Sequence, residues 1–205
     1  MFMASAYATI IKDNLERFFA LDVDERAGAM GARRDGDGLQ FMAFGSACRL
    51  SPAGITLDGQ PEQGPRGIII SLYGLHATGD DAVLEPLQSF KEIPNSAPYV
   101  GAFANRTEQA LVPLVPRLSD LRETIHARLD GGDAPAAVSG DIAFLVRPLP
   151  KIALCYVCYL PDDEFPAGVT CLYSHNAHLF LPTDALADVG EYTSQAILAL
   201  SGQVG

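Results

Sequence analysis

The sequence predicts an α+β fold: a single domain over residues 1–205 in which a mostly antiparallel sheet packs against N-terminal, central and C-terminal helices. Two observations support this prediction. Strand-like segments do not alternate regularly with helical ones, and no internal repeat occurs, which favours an antiparallel α+β domain over a doubly wound sheet. The 205 residues are 48% hydrophobic and 19% charged, which suits a folded domain with a sizeable core.

Helical patterns occur along the whole chain. Asp22 is a good N-cap residue, and Glu25, three residues later, completes a capping-box pattern. Thr183 is the predicted cap of the last helix. For the short apolar run at residues 68–70 a strand is the competing interpretation. The predicted helices cover residues 4–20, 22–32, 68–75, 105–112, 116–129 and 183–200.

Strand patterns are concentrated in two parts of the chain and are joined by short turn-forming segments. Residues 80–98 form an irregular segment with one possible edge strand at 89–93; a loop of this length is often functional and is a candidate to cover a site. The other predicted strands pair across turns at residues 51–54, 147–150 and 174–177. They cover residues 40–50, 54–57, 141–146, 152–160, 169–173 and 178–181.

Charge and hydropathy exclude several classes of partner. The net charge is −11, and the only adjacent basic pair is Arg33-Arg34, so nucleic acid is not an expected partner. No apolar run approaches the roughly 20 residues that a membrane span needs. The N-terminus lacks a basic region and carries Lys12 and Asp13, which is unlike a secretory signal. We therefore expect a cytoplasmic protein whose four cysteines are free thiols or ligands rather than disulfides.

Residues 151–200 contain most of the residue types that bind metals. Cys155-x2-Cys158-x12-Cys171-x3-His175 resembles the ligand spacing of a zinc or iron–sulphur site. The CxxC pair, however, lies in a strand-like run, where positions i and i+3 point to opposite faces about 10 Å apart. Cys155 and Cys158 are therefore interpreted as buried core thiols, and the absence of a cofactor is favoured over zinc or iron.

Two histidines close to Cys171 form a second candidate. His175 and His178 flank the predicted turn, and Cys171 precedes them, so the three side chains are candidates for an open metal site. The alternative is that His175 is a solvated turn residue and His178 a half-buried strand residue.

The acidic triplet Asp162, Asp163 and Glu164 is a third candidate, for ligand binding. Burial of any two of these carboxylates would raise one pKa and produce an acid/base pair, whereas an exposed loop would leave all three ionised. The exposed loop is the favoured alternative. Phe165 is predicted to anchor the loop in the core.

Motifs for nucleophilic catalysis and phosphate binding are missing from the sequence. No GxSxG occurs, and the segment Gly45-Ser46-Ala47-Cys48 lacks the strand–turn–helix context of a nucleophile elbow. The glycines of GARRDGDG are not followed by Lys-Ser or Lys-Thr, so they do not form a phosphate-binding loop.

Five blocks of the sequence carry a family resemblance. They are DERAGAMGA, FMAFGSACRLSPAGITLDG, IIISLYGL, SFKEI with the following PYVGAF, and DDEFPAGVTCLYSHNAHLFLPTDAL, which together extend over most of the chain. In these blocks and their order the chain resembles domain of unknown function 3786, a family of bacteria and archaea, mostly anaerobes. The resemblance implies no particular activity, and no catalytic residue is carried over from it.

Three functional hypotheses follow, and whether the protein is an enzyme stays open. The first is a non-catalytic binding or accessory protein for a small molecule, a metal centre or a partner protein. The second is a metal-dependent enzyme or metal-handling protein that uses the corner from Asp162 to His178. The third is a self-associating homo-oligomer, which requires an exposed apolar face on the helix from Tyr192 to Leu200.

Overall fold

A computed structural model describes the backbone of residues 2–202 and the side chains of residues 6–202. The predicted α+β architecture is confirmed, with the strands divided between two antiparallel five-stranded sheets. The strand orders are β1-β2-β3-β4-β5 and β6-β10-β9-β8-β7. The helices are α1 Phe2–Phe19, α2 Val23–Met30, α3 Pro65–His76, α4 Val100–Phe103, α5 Leu118–Arg128 and α6 Thr183–Ser201. The strands are β1 Arg33–Asp35, β2 Gly38–Ala43, β3 Ser46–Ser51, β4 Gly54–Leu57, β5 Gln60–Pro61, β6 Gln88–Ser89, β7 Gly132–Asp133, β8 Ile142–Leu149, β9 Ile152–Tyr159 and β10 Gly168–Tyr173.

The first sheet corrects one sequence prediction. Residues 40–50 were predicted as one strand, but they form two strands, β2 and β3, around a tight turn. Phe44 and Gly45 both have positive φ, at 51° and 80°, which is the two-residue turn geometry that matches the twist of an antiparallel pair. The prediction failed because Phe-Gly is not among the common turn dipeptides.

The second sheet is buried on both faces. Its inner face packs with Phe18, Leu50, Leu111 and Leu186 in the main core, which runs through both sheets and all the long helices. Its outer face carries Leu145, Cys155 and Val157, which are covered by residues of two irregular segments around 84–87 and 134–138. β8 and β9 therefore consist almost entirely of apolar residues.

The chain between α4 and α5 is helical but irregular. Residues Ala104–Glu108 form one π-helical turn, and Gln109–Arg117 are 3₁₀-helical. Pro113 and Pro116 lack the backbone N–H that an α-helix would need at these positions.

Three other predictions in the C-terminal half need correction. Residues 178–181 do not form a strand, because Ala177–Leu179 form a short 3₁₀ turn. Thr183 does not cap α6; its hydroxyl instead donates to the Pro94 carbonyl at 2.8 Å. Of the edge strand predicted at 89–93, only Ser89 pairs with β10, together with the preceding Gln88.

The apolar face of α6 is turned inward. Ile197 and Leu200 are buried in the core, whereas Gln195 and Ala199 face solvent. The exposed face required by the hypothesis of self-association is therefore not offered by this helix. Of the helices in residues 2–202, none combines the length and the hydropathy needed to cross a bilayer.

Candidate functional site

A pocket of about 390 Å³ lies where the two sheets meet, and we call it the junction pocket. Its volume falls within the usual range for small-molecule sites, about 300–1,000 Å³. It combines apolar surface with a few charged and polar groups. The residues that line it are Gly31, Arg33, Gln40, Phe41, Met42, Ala47, Asp130, Arg147 and Pro150.

Tight backbone contacts hold the walls of the junction pocket together. The Phe44 N–H, in the β2–β3 turn, donates to the Pro148 carbonyl at the end of β8, at 2.8 Å. A Cβ on Gly45 would lie 2.4 Å from the Arg128 carbonyl oxygen, so only glycine allows this turn to approach the end of α5. Gly31 ends α2 at φ 67°, which lets the chain turn into β1 beside Pro150.

Arg33 and Arg147 supply the positive charge of the pocket. Arg33 lies on the edge strand β1 opposite Gln40, and Arg147 lies on β8 where the pairing with β9 becomes irregular. Within the described part of the chain, neither guanidinium has a carboxylate within 4.0 Å. In the described structure the Arg147 guanidinium makes one long contact, 3.5 Å, from Nη1 to the Asp130 carbonyl. Both guanidinium groups therefore retain donors for a ligand.

Several other arginines of the chain form salt bridges with carboxylates. Arg49, for example, lies 2.9 Å from Asp35 and 2.6 Å from Asp37, and these two hydrogen bonds raise its pKa further. Carboxylates also pair with Arg34, Arg66, Arg106 and Arg122. In a chain of net charge −11, two arginines without carboxylate partners in one recess form a distinct anion-attracting feature.

Among the residues that line the pocket, Asp130 is the one with a carboxylate. It stands at φ 47°, a left-handed conformation that aspartate tolerates better than most residues, directly after α5. Asp130 lines the junction pocket, and its carboxylate has no salt bridge within the described residues. The pocket thus carries two positive charges and one negative charge.

A smaller cavity of about 80 Å³ adjoins the junction pocket and shares Arg147 and Pro150 with it. Lys151 lines this cavity. Its Nζ donates to the carbonyls of Thr78 at 3.1 Å and Asp80 at 2.7 Å, and no carboxylate lies within salt-bridge distance among residues 2–202. Lys151 therefore adds a third basic residue next to the junction pocket.

The predicted acidic site lies elsewhere, at the exposed tip of the hairpin between β9 and β10. Asp162 Oδ1 accepts hydrogen bonds from the backbone N–H groups of Phe165 at 2.7 Å and Glu164 at 2.8 Å. These bonds lower the pKa of the Asp162 carboxyl. Asp163 and Glu164 are exposed as well. The predicted anchoring of this loop by Phe165 is wrong, because that residue is 66% exposed.

The two histidines of the predicted corner have different surroundings. The His175 backbone N–H donates to the Leu84 carbonyl at 3.2 Å, and its ring Nδ1 is buried without a hydrogen-bond partner in the described structure. His178 is exposed on the 3₁₀ turn that follows. The predicted turn between the two histidines is present, but the strand predicted at residues 178–181, which would contain His178, is not formed.

The three cysteines of residues 151–200 are fully buried. Cys155 packs against Leu145 and Val157 on the outer face of the second sheet, whereas Cys158 and Cys171 belong to the main core. Burial raises the pKa of the Cys155 thiol to about 11 and that of Cys158 to about 12. Thiols with such pKa values are protonated and unreactive near neutral pH.

The metal-ligand set suggested by the sequence is not assembled. Throughout residues 2–202, no three His, Cys, Asp or Glu side chains are arranged to hold a metal ion. The structure therefore does not bring Cys171, His175 and His178 together around one ion, nor does it add Asp162, Asp163 or Glu164 to them.

A buried polar network was missed by the sequence reasoning. Glu108, in the π-helical turn, accepts a hydrogen bond from the Cys171 backbone N–H at 3.0 Å, and burial raises the pKa of its carboxyl. Nearby, the hydroxyls of Tyr156 and Ser194 are hydrogen-bonded at 3.0 Å, and Ser194 Oγ donates to the Thr107 carbonyl at 2.8 Å. This network ties the second sheet to α6, and nothing in the local sequence around Glu108 indicates it.

The residues of the junction pocket were also missed. One signal was available: Arg147 interrupts an otherwise apolar strand, Ile142–Leu149. A charged residue inside a buried strand requires either a partner or access to a cavity. Arg33 and Asp130 gave no comparable signal, because both lie in turn-rich polar segments.

The fold and the pocket define an α+β protein with an arginine-bearing recess between two antiparallel sheets. The chain belongs to the family described as domain of unknown function DUF3786, whose model matches residues 22–196. The resemblance seen in the sequence blocks is thereby confirmed. The matched region includes every residue that lines the junction pocket. Comparisons with curated proteins and with solved structures gave no match.

Proposed function

We propose that the protein is a non-catalytic binding protein whose ligand is a small anion, held in the junction pocket by Arg33 and Arg147. The observation that carries this proposal is the pair of arginines in one pocket without a carboxylate partner in the described structure. Guanidinium groups bind carboxylate and phosphate oxygens through paired, charge-assisted hydrogen bonds. The net charge of −11 disfavours anions over most of the protein surface, so anion binding is expected only where these two guanidinium groups lie.

The other lining residues restrict the ligand further. Phe41, Met42 and Pro150 offer apolar surface for a carbon skeleton, so the ligand is larger than a simple inorganic ion. Gln40 can donate or accept a hydrogen bond, and the Asp130 carboxylate accepts from a hydroxyl or amine of the ligand. The best fit is an organic molecule with one carboxylate or phosphate group and one hydrogen-bond donor.

Binding of matched pairs of compounds tests the charge requirement. Phenylacetate is compared with phenylacetamide, and phenyl phosphate with phenol, by calorimetry and by thermal unfolding. A ligand at about 100 times its Kd stabilises the folded state by about 2.7 kcal/mol, which raises the Tm of a protein of this size by about 5–10 °C. We expect the anionic member of at least one pair to bind and the neutral member to fail.

Variants locate the site. The double substitution Arg33→Gln and Arg147→Gln is expected to abolish the stabilisation by the anion, while Arg17→Gln, an exposed arginine on α1, leaves it unchanged. The proposal is wrong if no anion binds, if the neutral compounds bind equally well, or if the double variant binds as the unaltered protein does.

A further inference from the structure

The tip of the β9–β10 hairpin exposes an unusual amount of apolar surface. Phe165 is 66% exposed, Tyr159 46% and Leu160 45%, and all three lie within seven consecutive residues. We call these three residues the hairpin patch. Single exposed apolar side chains are ordinary, but adjoining ones are typical of a surface that another molecule covers.

A groove of about 330 Å³ continues from the hairpin patch across the outer face of the second sheet. Tyr159 belongs to the hairpin patch and also lines the groove. Two irregular segments, Glu85–Leu87 and Ala137–Ser139, form its walls, and side chains of β9 and β10 form its floor. These floor residues are Val157, Thr170 and Leu172. The hairpin patch and the groove therefore meet at Tyr159.

The hairpin patch is held in place by hydrogen bonds. The Asp162 N–H donates to the Phe165 carbonyl at 3.0 Å, and Asp162 Oδ1 accepts from the Phe165 N–H. The Leu160 N–H donates to Asp141 Oδ2 at 2.7 Å, and the Tyr159 hydroxyl donates to the Ser139 carbonyl at 3.3 Å. Phe165 is therefore presented to solvent by an ordered turn, which lowers the entropy cost of binding.

Negative charge surrounds this apolar surface. Asp162 and Asp141 use carboxylate oxygens to hold the turn, whereas Asp163 and Glu164 have no cation within 4.0 Å in the described structure. Glu85 adds a third carboxylate at the wall of the groove. A partner with positive charge is therefore favoured, and a second copy of this chain, which carries the same acids and a net charge of −11, is disfavoured.

We infer that the hairpin patch and the groove dock a basic segment of another protein, with an apolar side chain of that segment seated in the groove. Lys or Arg side chains of the segment lie against Asp163, Glu164 and Glu85, and Phe165 and Tyr159 pack against its apolar residues. Aromatic side chains at the centre of an interface with charges at its rim are the usual arrangement of a specific protein contact. None of the residues involved lines the junction pocket, so this inference does not depend on the proposed anion site.

Synthetic peptides provide the test. The probe is a short peptide that alternates Lys or Arg with Leu and Phe, and its binding is followed by fluorescence anisotropy. Two reference peptides carry Glu in place of every basic residue, or Ser in place of every apolar one. We expect the basic apolar peptide to bind and both reference peptides to bind about tenfold more weakly or not at all.

Variants of the full-length protein separate docking from unspecific attraction. Phe165→Ala is expected to weaken binding about tenfold, and Asp163→Asn with Glu164→Gln about threefold. The control, Asp13→Asn with Glu123→Gln, removes the same charge from two exposed positions on α1 and α5 and leaves binding unchanged. Thermal unfolding of each variant verifies that the fold is retained.

Three results would overturn the inference. The first is that the basic apolar peptide does not bind. The second is that the control variant weakens binding as much as the variant of Asp163 and Glu164. The third is self-association in sedimentation experiments that Phe165→Ala abolishes, which would assign this surface to a second copy of the chain.

Discussion

The junction pocket and the hairpin tip differ in almost every respect. The pocket is a recess assembled from residues far apart in the chain, from Gly31 to Pro150, and its arginines lack carboxylate partners in the described structure. The tip is built from consecutive residues, projects into solvent, and carries acids. The comparison teaches that a local concentration of ligand-type residues is a weaker sign of a site than convergence of distant ones.

Their charges also have different consequences. At the tip the carboxylates are in water, and Asp162 stabilises a turn through its backbone hydrogen bonds. In the pocket the two arginines share a recess with the apolar residues Phe41, Met42 and Pro150. The tip is therefore suited to a large partner with opposite charge, and the pocket to a small anion.

The largest expected effect concerns the core of the second sheet. Phe144, on β8, is fully buried and stacks on Tyr156 with ring centroids 5.5 Å apart. Phe144→Ala is expected to lower the free energy of unfolding by about 3–5 kcal/mol, because it leaves a cavity. Phe165→Ala, at the exposed tip, is expected to change it by less than about 0.5 kcal/mol. Chemical denaturation of both variants measures the difference, and similar losses would show that Phe165 is a core residue after all.

Two glycines provide a smaller contrast between the regions. Gly45 has φ 80° and would place a Cβ 2.4 Å from the Arg128 carbonyl oxygen, whereas a Cβ on Gly168 would meet nothing closer than 3.9 Å. Gly45→Ala is expected to cost about 1–3 kcal/mol of stability and to impair anion binding, because it separates the pocket walls. Gly168→Ala is expected to cost about 0.5 kcal/mol or less. Equal costs by thermal unfolding would contradict the described junction.

The pH dependence of stability separates a buried carboxylate from an exposed one. Burial raises the pKa of Glu108 above 4.5, so the folded chain binds more protons than the unfolded chain, and stability falls as the pH rises through this range. Glu108→Gln is expected to reduce this loss of stability with rising pH, because the amide stays neutral and no charge is buried at this position.

Asp162 has the opposite effect on how stability changes with pH. Its pKa is lowered below 3.8, so its contribution is present above that value and is lost as the pH falls through the folded-state pKa. Asp162→Asn is expected to flatten only this acid limb. Unfolding measured across the acid range checks both variants, and slopes of the same sign at the two sites would contradict the assignment of one as buried and the other as exposed.

The smallest expected effect is at the remaining acids of the tip. Asp163→Asn with Glu164→Gln is expected to change the free energy of unfolding by less than about 0.5 kcal/mol, because both groups are solvated. Thermal unfolding at low salt is the appropriate measurement. A change above about 1 kcal/mol in either direction would indicate a buried, interacting pair of the kind considered from the sequence alone.

Sequence patterns predicted the helices better than the strands. Apolar spacing placed α1 and α3 well, and Asp22 caps α2 as predicted, accepting from the N–H groups of Asp24 and Glu25. The turn at Phe44-Gly45 and the 3₁₀ turn at His178 were missed because tertiary contacts fix both. Phe44 is tied to Pro148, and the corner before His178 is tied to Leu84 through His175.

The candidate site was predicted less well than the fold. Strand geometry predicted that Cys155 and Cys158 point to opposite faces of one strand, and the structure places them on opposite faces of β9. The pocket residues Arg33, Asp130 and Arg147 come from three elements whose meeting depends on how the two sheets pack. Spacing along the chain carries no information about that packing, so the proposed anion site had only the signal of one arginine in an apolar strand.

The most direct measurement is an NMR titration of the arginine side chains with phenyl phosphate. The Nε–Hε resonances of Arg33 and Arg147 are followed beside that of Arg49, which is already paired with Asp35 and Asp37. We predict saturable shifts at Arg33 and Arg147, with no change at Arg49 or at the backbone amide of Phe165. No saturable shift, or equal shifts at all three arginines, would contradict the assignment of the junction pocket as an anion site.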